Sequence, residues 1–295
     1  MLCEREARSA ALPYFLKTAF STFFRKNFSI QAQVETPEAV CAPTNLKNKK
    51  LNKKIKSLRW SQWLAGLIDG NGCFLVSKAG YISLEITISS KDEALLPQIQ
   101  NKYGGSLKAR AGLNAVRYRL HDKGNIIKLC VDVNGFIRHP VRLQQFTKVC
   151  NKLCLEVKSP DLLNKNHGWF AGMFDADGCI TFNLSGKFPQ ITVSVTQKYK
   201  EIPLAFKKVF KGSLYYDKSK NGYWSWAVQS KESVLEIINY FKKFPCRSSR
   251  RQKLFLTPKV YNLLQDKAYL PQTSQLHLPT LHKKWLKLLL AWKAL

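Results

Sequence analysis

Acidic residues are scarce in this chain: 19 Asp and Glu stand against 48 Lys and Arg in 295 residues, a formal net charge of +29. That balance disfavours cationic partners and points to a polyanion, nucleic acid before membrane. Paired cysteine motifs are missing too. The eight cysteines stand at 3, 41, 73, 130, 150, 154, 179 and 246 without one CxxC, which argues against a zinc knuckle or a disulfide framework and leaves reduced, mostly buried thiols. Cys150 and Cys154 share a helix face with no matching His or Cys pair, so they read as core packing. The histidines at 121, 139, 167, 277 and 282 show no metal spacing. No run of about 18 apolar residues occurs, so no segment is expected to span a bilayer. The apolar stretch from Trp285 to Trp292 is only about two turns long and reads as a docking helix.

What is present suffices for folding, since a 45% hydrophobic content supplies a core for one large domain or two ordinary ones. From Ala7 to Val34 there is no acid, while Arg8, Lys17, Arg25 and Lys26 are interleaved with Phe, Ser and Ala. That composition suits an organellar transit peptide or a disordered leader. From Asn45 to Arg59 come Lys47, Lys49, Lys50, Lys53, Lys54, Lys56 and Arg59. They are expected to form a flexible basic arm that adds non-specific affinity for nucleic acid.

The chain also repeats itself. Trp63-Leu64-Ala65-Gly66-Leu67-Ile68-Asp69-Gly70-Asn71-Gly72-Cys73 lies against Trp169-Phe170-Ala171-Gly172-Met173-Phe174-Asp175-Ala176-Asp177-Gly178-Cys179 at a constant offset of 106. After one inserted residue, Tyr81 to Ile88 matches Phe188 to Val195, and Tyr103 to Leu107 matches Phe210 to Leu214, both at 107. Each half opens on a helix that the glycine-rich end of the motif stops. Strands follow, with Leu84, Ile86 and Ile88, or Ile191, Val193 and Val195, alternating with polar residues, so one face is buried and the other wet. Pro97 and Pro203 mark the first turn of a further helix, which ends at Gly104-Gly105 or Gly212. A second alternating pair carries Val116, Tyr118 and Leu120, or Trp224, Trp226 and Val228. Closing helices run through Val141 to Glu156 and Ser233 to Phe244. The expected fold is α+β, two pseudo-symmetric αββαββα repeats with antiparallel sheets. Its boundaries fall at 1–57 for leader and arm, 58–157 for the first repeat, 158–166 for a linker, 167–265 for the second repeat and 266–295 for a C-terminal extension.

The small residues Ala65-Gly66 and Ala171-Gly172 let two helices cross closely, which brings their C-terminal ends together. Asn71 and Asp177 then project side by side. Two oxygen-bearing side chains at the centre of a basic surface suit divalent metal ions and phosphodiester hydrolysis, with the backbone carbonyls of Gly70 and Ala176 as further oxygen ligands. Asp69 and Asp175 read as structural groups of the turn.

Leu64 to Gly72 and Phe170 to Gly178 resemble the two signature helices of the LAGLIDADG homing endonucleases in their single-chain form, and the resemblance covers roughly residues 58 to 265. It implies a saddle of two antiparallel sheets along the DNA major groove. It also implies Mg²⁺ or another divalent cation at the penultimate motif positions, Asn71 and Asp177, each directing cleavage of one strand. Asn71 departs from the family's preference for Asp or Glu. It offers a carbonyl oxygen without charge, so it should hold a cation more weakly. Three outcomes follow: unequal cleavage of both strands, nicking of one, or binding without cutting.

On the polar strand faces Lys108, Arg110, Arg117, Arg119, Gln190, Thr192, Ser194 and Tyr223 are the candidates for reading base edges. Arg142 and either Arg251 or Lys253 are the loosely matched candidates to steady phosphate. The implied partner is double-stranded DNA, met by a monomer acting away from membranes. An intron-RNA maturase and a non-cleaving DNA-binding regulator are the rival readings, and the leader with the resemblance suggests a mitochondrion before a chloroplast.

Overall fold

The alternating segments pair into two four-stranded antiparallel sheets in the computed structural model, which describes residues 44–185, 188–219, 222–270 and 279–295. The leader expected over 7–34 lies outside the described residues. The first half runs α1 (Thr44–Asn71), β1 (Gly72–Val76), β2 (Ile82–Ser89), a 3-10 turn (Ser90–Leu95), α2 (Leu96–Tyr103), β3 (Ser106–Ala109), β4 (Ala115–Leu120), α3 (Lys123–Val133) and α4 (Pro140–Lys152). The second repeats it as α5 (Trp169–Asp177), β5 (Gly178–Asn183), β6 (Gln190–Gln197), α6 (Glu201–Phe210), β7 (Ser213–Asp217), β8 (Tyr223–Val228), α7 (Lys231–Lys243) and α8 (Arg250–Gln265). A last helix, α9 (Pro279–Lys293), follows. The strand orders are β1-β2-β4-β3 and β5-β6-β8-β7, the same in both halves.

Burial follows the alternation. Leu84, Ile86, Tyr118 and Leu120 on one sheet and Val193, Val195 and Trp226 on the other are fully buried on the faces that meet the helices. The opposite faces stay open. The docking expected of the C-terminal apolar stretch is realised in α9, where Trp285 and Trp292 pack their rings against Phe182 of β5 at 5.7 and 5.4 Å.

Two features differ from the sequence expectation. The segment 45–59 is helical, the N-terminal part of the 28-residue α1, because its lysines and leucines are good helix formers uninterrupted by Gly or Pro. Each half also closes with two helices rather than one, α3 before α4 and α7 before α8. The sequence hides α3 behind Gly124 and Asn125 in its first turn, although Asp122 caps it by accepting a hydrogen bond from the Asn125 backbone N–H at 2.8 Å. In α8 Pro258 stands inside the helix, where proline ordinarily argues against one.

The halves meet where α1 crosses α5. A Cβ added at Gly66 would lie 2.1 Å from the Trp169 carbonyl oxygen, and one at Gly172 would lie 1.8 Å from the Trp63 carbonyl oxygen, so the two backbones touch. Flanking that contact are two crossed hydrogen bonds. The Trp63 indole N–H donates to Asp175 across the interface at 2.8 Å, and the Trp169 indole N–H donates to Asp69 at 2.7 Å. Asp175 accepts further bonds from the backbone N–H groups of Arg247 and Ser248 and from the Ser248 hydroxyl. Asp69 accepts from the Arg138 N–H besides Trp169, and its Oδ1 is buried without a close partner. Burial lifts Asp69 to about 7, against the opposing pull of the Trp169 indole, the backbone N–H groups of Arg138 and His139 and the Arg138 charge.

The unequal support predicts unequal costs. Trp169→Phe removes the side-chain donor to a buried carboxylate that already has an unpartnered oxygen and should lower stability by roughly 2–3 kcal/mol, whereas Trp63→Phe, with three other donors left on Asp175, should lower it by about 1 kcal/mol. Urea unfolding of the two variants side by side measures the difference; equal midpoints would contradict it.

Candidate active site and nucleic-acid interface

Both motif helices end where their sheets begin, so α1 hands over to β1 at Gly72 and α5 to β5 at Gly178. Asn71 and Asp177 are the last helical residues and are half-buried. The two ends abut: a Cβ added at Gly70 would lie 2.3 Å from the Ala176 Cβ and 2.7 Å from Asp177 Oδ2. The structure thus brings Gly70, Asn71, Ala176 and Asp177 to one place.

The Asp177 carboxylate is held by Gln197, whose amide nitrogen donates to Oδ2 at 2.5 Å. Burial raises Asp177 to about 6; the Gln197 bond and the cations Arg250 and Arg142 pull the other way. Arg250 spans the interface between halves. Its guanidinium donates to the carbonyls of Asp175 at 2.9 Å and Ala176 at 3.3 Å and to that of Gly178, and it pairs with Asp92 of the 3-10 turn at 3.0 Å. A cation over the last carbonyls of α5 offsets the negative end of that helix. It also occupies part of the Ala176 carbonyl.

The first half is built differently. The backbone bonds from Arg138 to Asp69 and from Arg247 to Asp175 set the equivalence, 109 residues apart, and by it Arg250 corresponds to Val141. Arg142, one residue on, donates to Gln145 at 3.3 Å and keeps a buried Nε without a partner. Lys253 instead lies over the Trp292 ring of α9, 5.8 Å from its centre. Among the described residues no group of three or more His, Cys, Asp or Glu is placed to hold a metal ion.

Gln197, Arg250 and Asp92 were not singled out from the sequence. Gln197 had a visible signal, since it continues the row Ile191, Val193, Val195 on the buried face of β6, where a polar residue is out of place. Arg250 and Asp92 had none, being joined across 158 residues by the crossing of the halves.

The open faces carry most of the candidate reading residues. On the first sheet Lys108, Arg117 and Arg119 share one face, with Lys108 opposite Arg117 and Glu85 opposite Arg119, and Arg110 lies exposed in the turn after β3. Glu85 pairs with both arginines, at 2.8 Å to Arg119 and 3.4 Å to Arg117, and so orients them. They border a groove of about 630 Å³. On the second sheet Gln190, Thr192 and Ser194 share the open face, and Tyr223 lies in the same row as Ser225, which bonds Thr196. The first face is basic, the second hydroxyl-bearing and aromatic.

Comparison with known proteins covers both halves. The family model described as LAGLIDADG endonuclease matches residues 64–133 and 170–261. The chain is 46% identical over 242 residues to the intron-encoded RNA maturase bI4 of Saccharomyces cerevisiae, covering 81% of this chain and 37% of the yeast protein. It is 37% identical over 287 residues to the probable intron-encoded endonuclease aI2 of Debaryomyces hansenii, covering 92% of this chain and 43% of that protein. It therefore spans about two fifths of the length of these two relatives. Among solved structures, that of the homing endonuclease I-LtrWI bound to target DNA superposes with a TM-score of 0.61 at 18% identity, covering 79% of this chain and 97% of that one.

Proposed function

Because this chain belongs to the LAGLIDADG endonuclease family, we propose that it is a site-specific endonuclease, hydrolysing phosphodiesters of a long double-stranded DNA target and promoting the homing of the intron that encodes it. The observation that carries this reading is the abutment of Gly70 and Asp177 between two open sheet faces, one of them lined with arginine and lysine.

The donors at the junction are all oxygens: the Asp177 carboxylate, the Asn71 side-chain carbonyl and the backbone carbonyls of Gly70 and Ala176. That set fits a hard divalent cation such as Mg²⁺, which is content with one or two carboxylates when phosphate and water complete its shell. When bound, such an ion activates water and neutralises charge building on the phosphate. Gln197 fixes the rotamer of Asp177 by donating to Oδ2, the same oxygen that lies against Gly70 at the junction. Arg142, whose charge already acts on Asp177, would be the residue to meet phosphate there. Lys253, held over Trp292, is not. Lys108, Arg110, Arg117 and Arg119 read or clamp one half-site, and Gln190, Thr192, Ser194 and Tyr223 the other. One chain supplies both halves, so it acts as a monomer, and the intron-encoded relatives favour a mitochondrial setting.

Asn71 makes the two halves chemically unequal. The strand served by Asp177 is cut faster, and nicked circles precede linear product. Selection of a target from a randomised duplex library with Mg²⁺ present, followed by a time course on supercoiled plasmid bearing it, tests both statements. Accumulation of linear product without a nicked intermediate would overturn the asymmetry, and the absence of any cleaved duplex would overturn the nuclease reading. An RNA-splicing maturase is the second reading, favoured by the name of the yeast relative and by the tolerance of a pure binder for Asn71.

A further inference from the structure

The cations of α1 lie at the wrong end of the helix to serve the duplex. A helix rises about 1.5 Å per residue, so Arg59 stands ~18 Å and Lys49 ~33 Å along the axis from Asn71, on the side away from the junction. Over residues 49–59 every side chain is exposed, Lys49, Lys50, Lys53, Lys54, Lys56 and Arg59 are basic, and none is acidic. Burial begins only at Trp60. The helix thus leaves the core opposite the open sheet faces as a bare, positively charged rod.

At its base is a cavity of about 340 Å³, lined by Lys56, Arg59, Trp60, Lys243, Phe244 and Arg247 among others. The N-cap of α5, Gly168, borders it, so it sits at the N-terminal ends of both motif helices, the far end from Asn71 and Asp177. Four cations and no acid line it. The two arginines lie over rings: the Arg59 guanidinium is 5.0 Å from the Phe244 centroid, and that of Arg247 is 4.6 Å from Trp60 and 4.3 Å from Trp63. Cations held against aromatic rings make a surface that suits the charged backbone and the π-face of an unpaired base. The volume falls in the range of about 300–1,000 Å³ that small ligand groups occupy.

We propose that this end of the molecule is a second nucleic-acid site, and that its occupant is folded RNA: the cavity takes an unpaired base, and the lysines of α1 follow the adjoining backbone. Duplex DNA offers no unstacked base to such a cavity, whereas RNA loops and bulges do, beside helical backbone of high charge density. The site is independent of the cleavage reading, because it shares no residue with the junction or the open sheet faces.

The test uses the full chain, a labelled RNA hairpin with an unpaired loop, single-stranded DNA of the same sequence, and the selected duplex. Lys53→Ala, Lys54→Ala and Lys56→Ala together change only exposed side chains of a helix. Fluorescence anisotropy is expected to show about a tenfold weaker RNA Kd for this triple variant, and a salt slope shallower by about 2, at ~0.7 per lost contact. Duplex affinity and plasmid cleavage should change less than twofold. Arg59→Ala with Lys243→Ala should weaken RNA binding similarly, and RNA should remain bound when duplex is saturating. Displacement of RNA by the duplex, equal loss of both ligands in the triple variant, unchanged RNA affinity in either variant, or equally tight single-stranded DNA would each overturn the proposal. A protein that binds RNA in this way yet cuts nothing would leave the site standing and remove only the nuclease reading.

Discussion

On the proposed reading, exchanging Asp177 for asparagine is expected to stop cleavage of the strand that residue would serve, lowering the single-turnover rate by on the order of 10³-fold, about 4 kcal/mol at 1.36 kcal/mol per decade. The loss is large because Asp177 supplies the only carboxylate among the donors gathered at the junction. With both penultimate positions neutral, no side chain at the junction would bring negative charge to a cation. Binding should barely change, since the contacts proposed to position a duplex lie on the sheets. The reciprocal exchange, Asn71→Asp, should raise the rate of the slower strand and shorten the life of the nicked intermediate. Strand-resolved gels with end-labelled duplex report all of this. Retention of full activity by Asp177→Asn would place the chemistry elsewhere.

A methyl group at the helix crossing should be nearly as damaging to the fold. In Gly172→Ala the new Cβ would be built 1.8 Å from the Trp63 carbonyl oxygen, and that atom belongs to backbone, so no rotamer change relieves the clash. The helices must part by more than an ångström, opening voids beside Leu64, Leu67, Phe170 and Met173, all fully buried. We expect a loss of about 4 kcal/mol or more, which for a domain of this size lowers Tm by roughly 8–16 °C. Gly124→Ala is the control: its Cβ meets only a carboxylate oxygen at 3.6 Å in the first turn of α3, and the substitution should be neutral or slightly stabilising. Thermal unfolding followed by circular dichroism separates the two, and a Gly172→Ala chain as stable as the parent would show that the crossing is looser than described.

The repeat, the strand alternation and the small residues at the crossing were legible because each is a local pattern or a fixed offset. Gly66 and Gly172 show why such patterns suffice, since only a residue without Cβ fits where one backbone lies on another. The closing helices were half legible: α4 and α7 have regular apolar spacing, but α3 opens on glycine and α8 contains proline, so tertiary packing decided against local propensity. At the site, Asn71 and Asp177 announced themselves by position in the motif. The pairing of Arg250 with Asp92 did not, because it joins elements from different halves and depends on the angle at which they meet. Gln197 lies between these cases, a polar residue in an apolar row that names its own exception.

The crossed indole–carboxylate pair has a consequence for ancestry. A contact in which the tryptophan of one unit serves the aspartate of the other, and the reverse, is what a two-fold axis generates between identical subunits. An unfused forerunner carrying a single copy of the motif would satisfy both buried carboxylates simply by dimerising. Joining the copies into one chain lifted the requirement that they stay alike. A lone mutation could then alter one penultimate position while the other kept its charge, something no homodimer encoded by one gene can do.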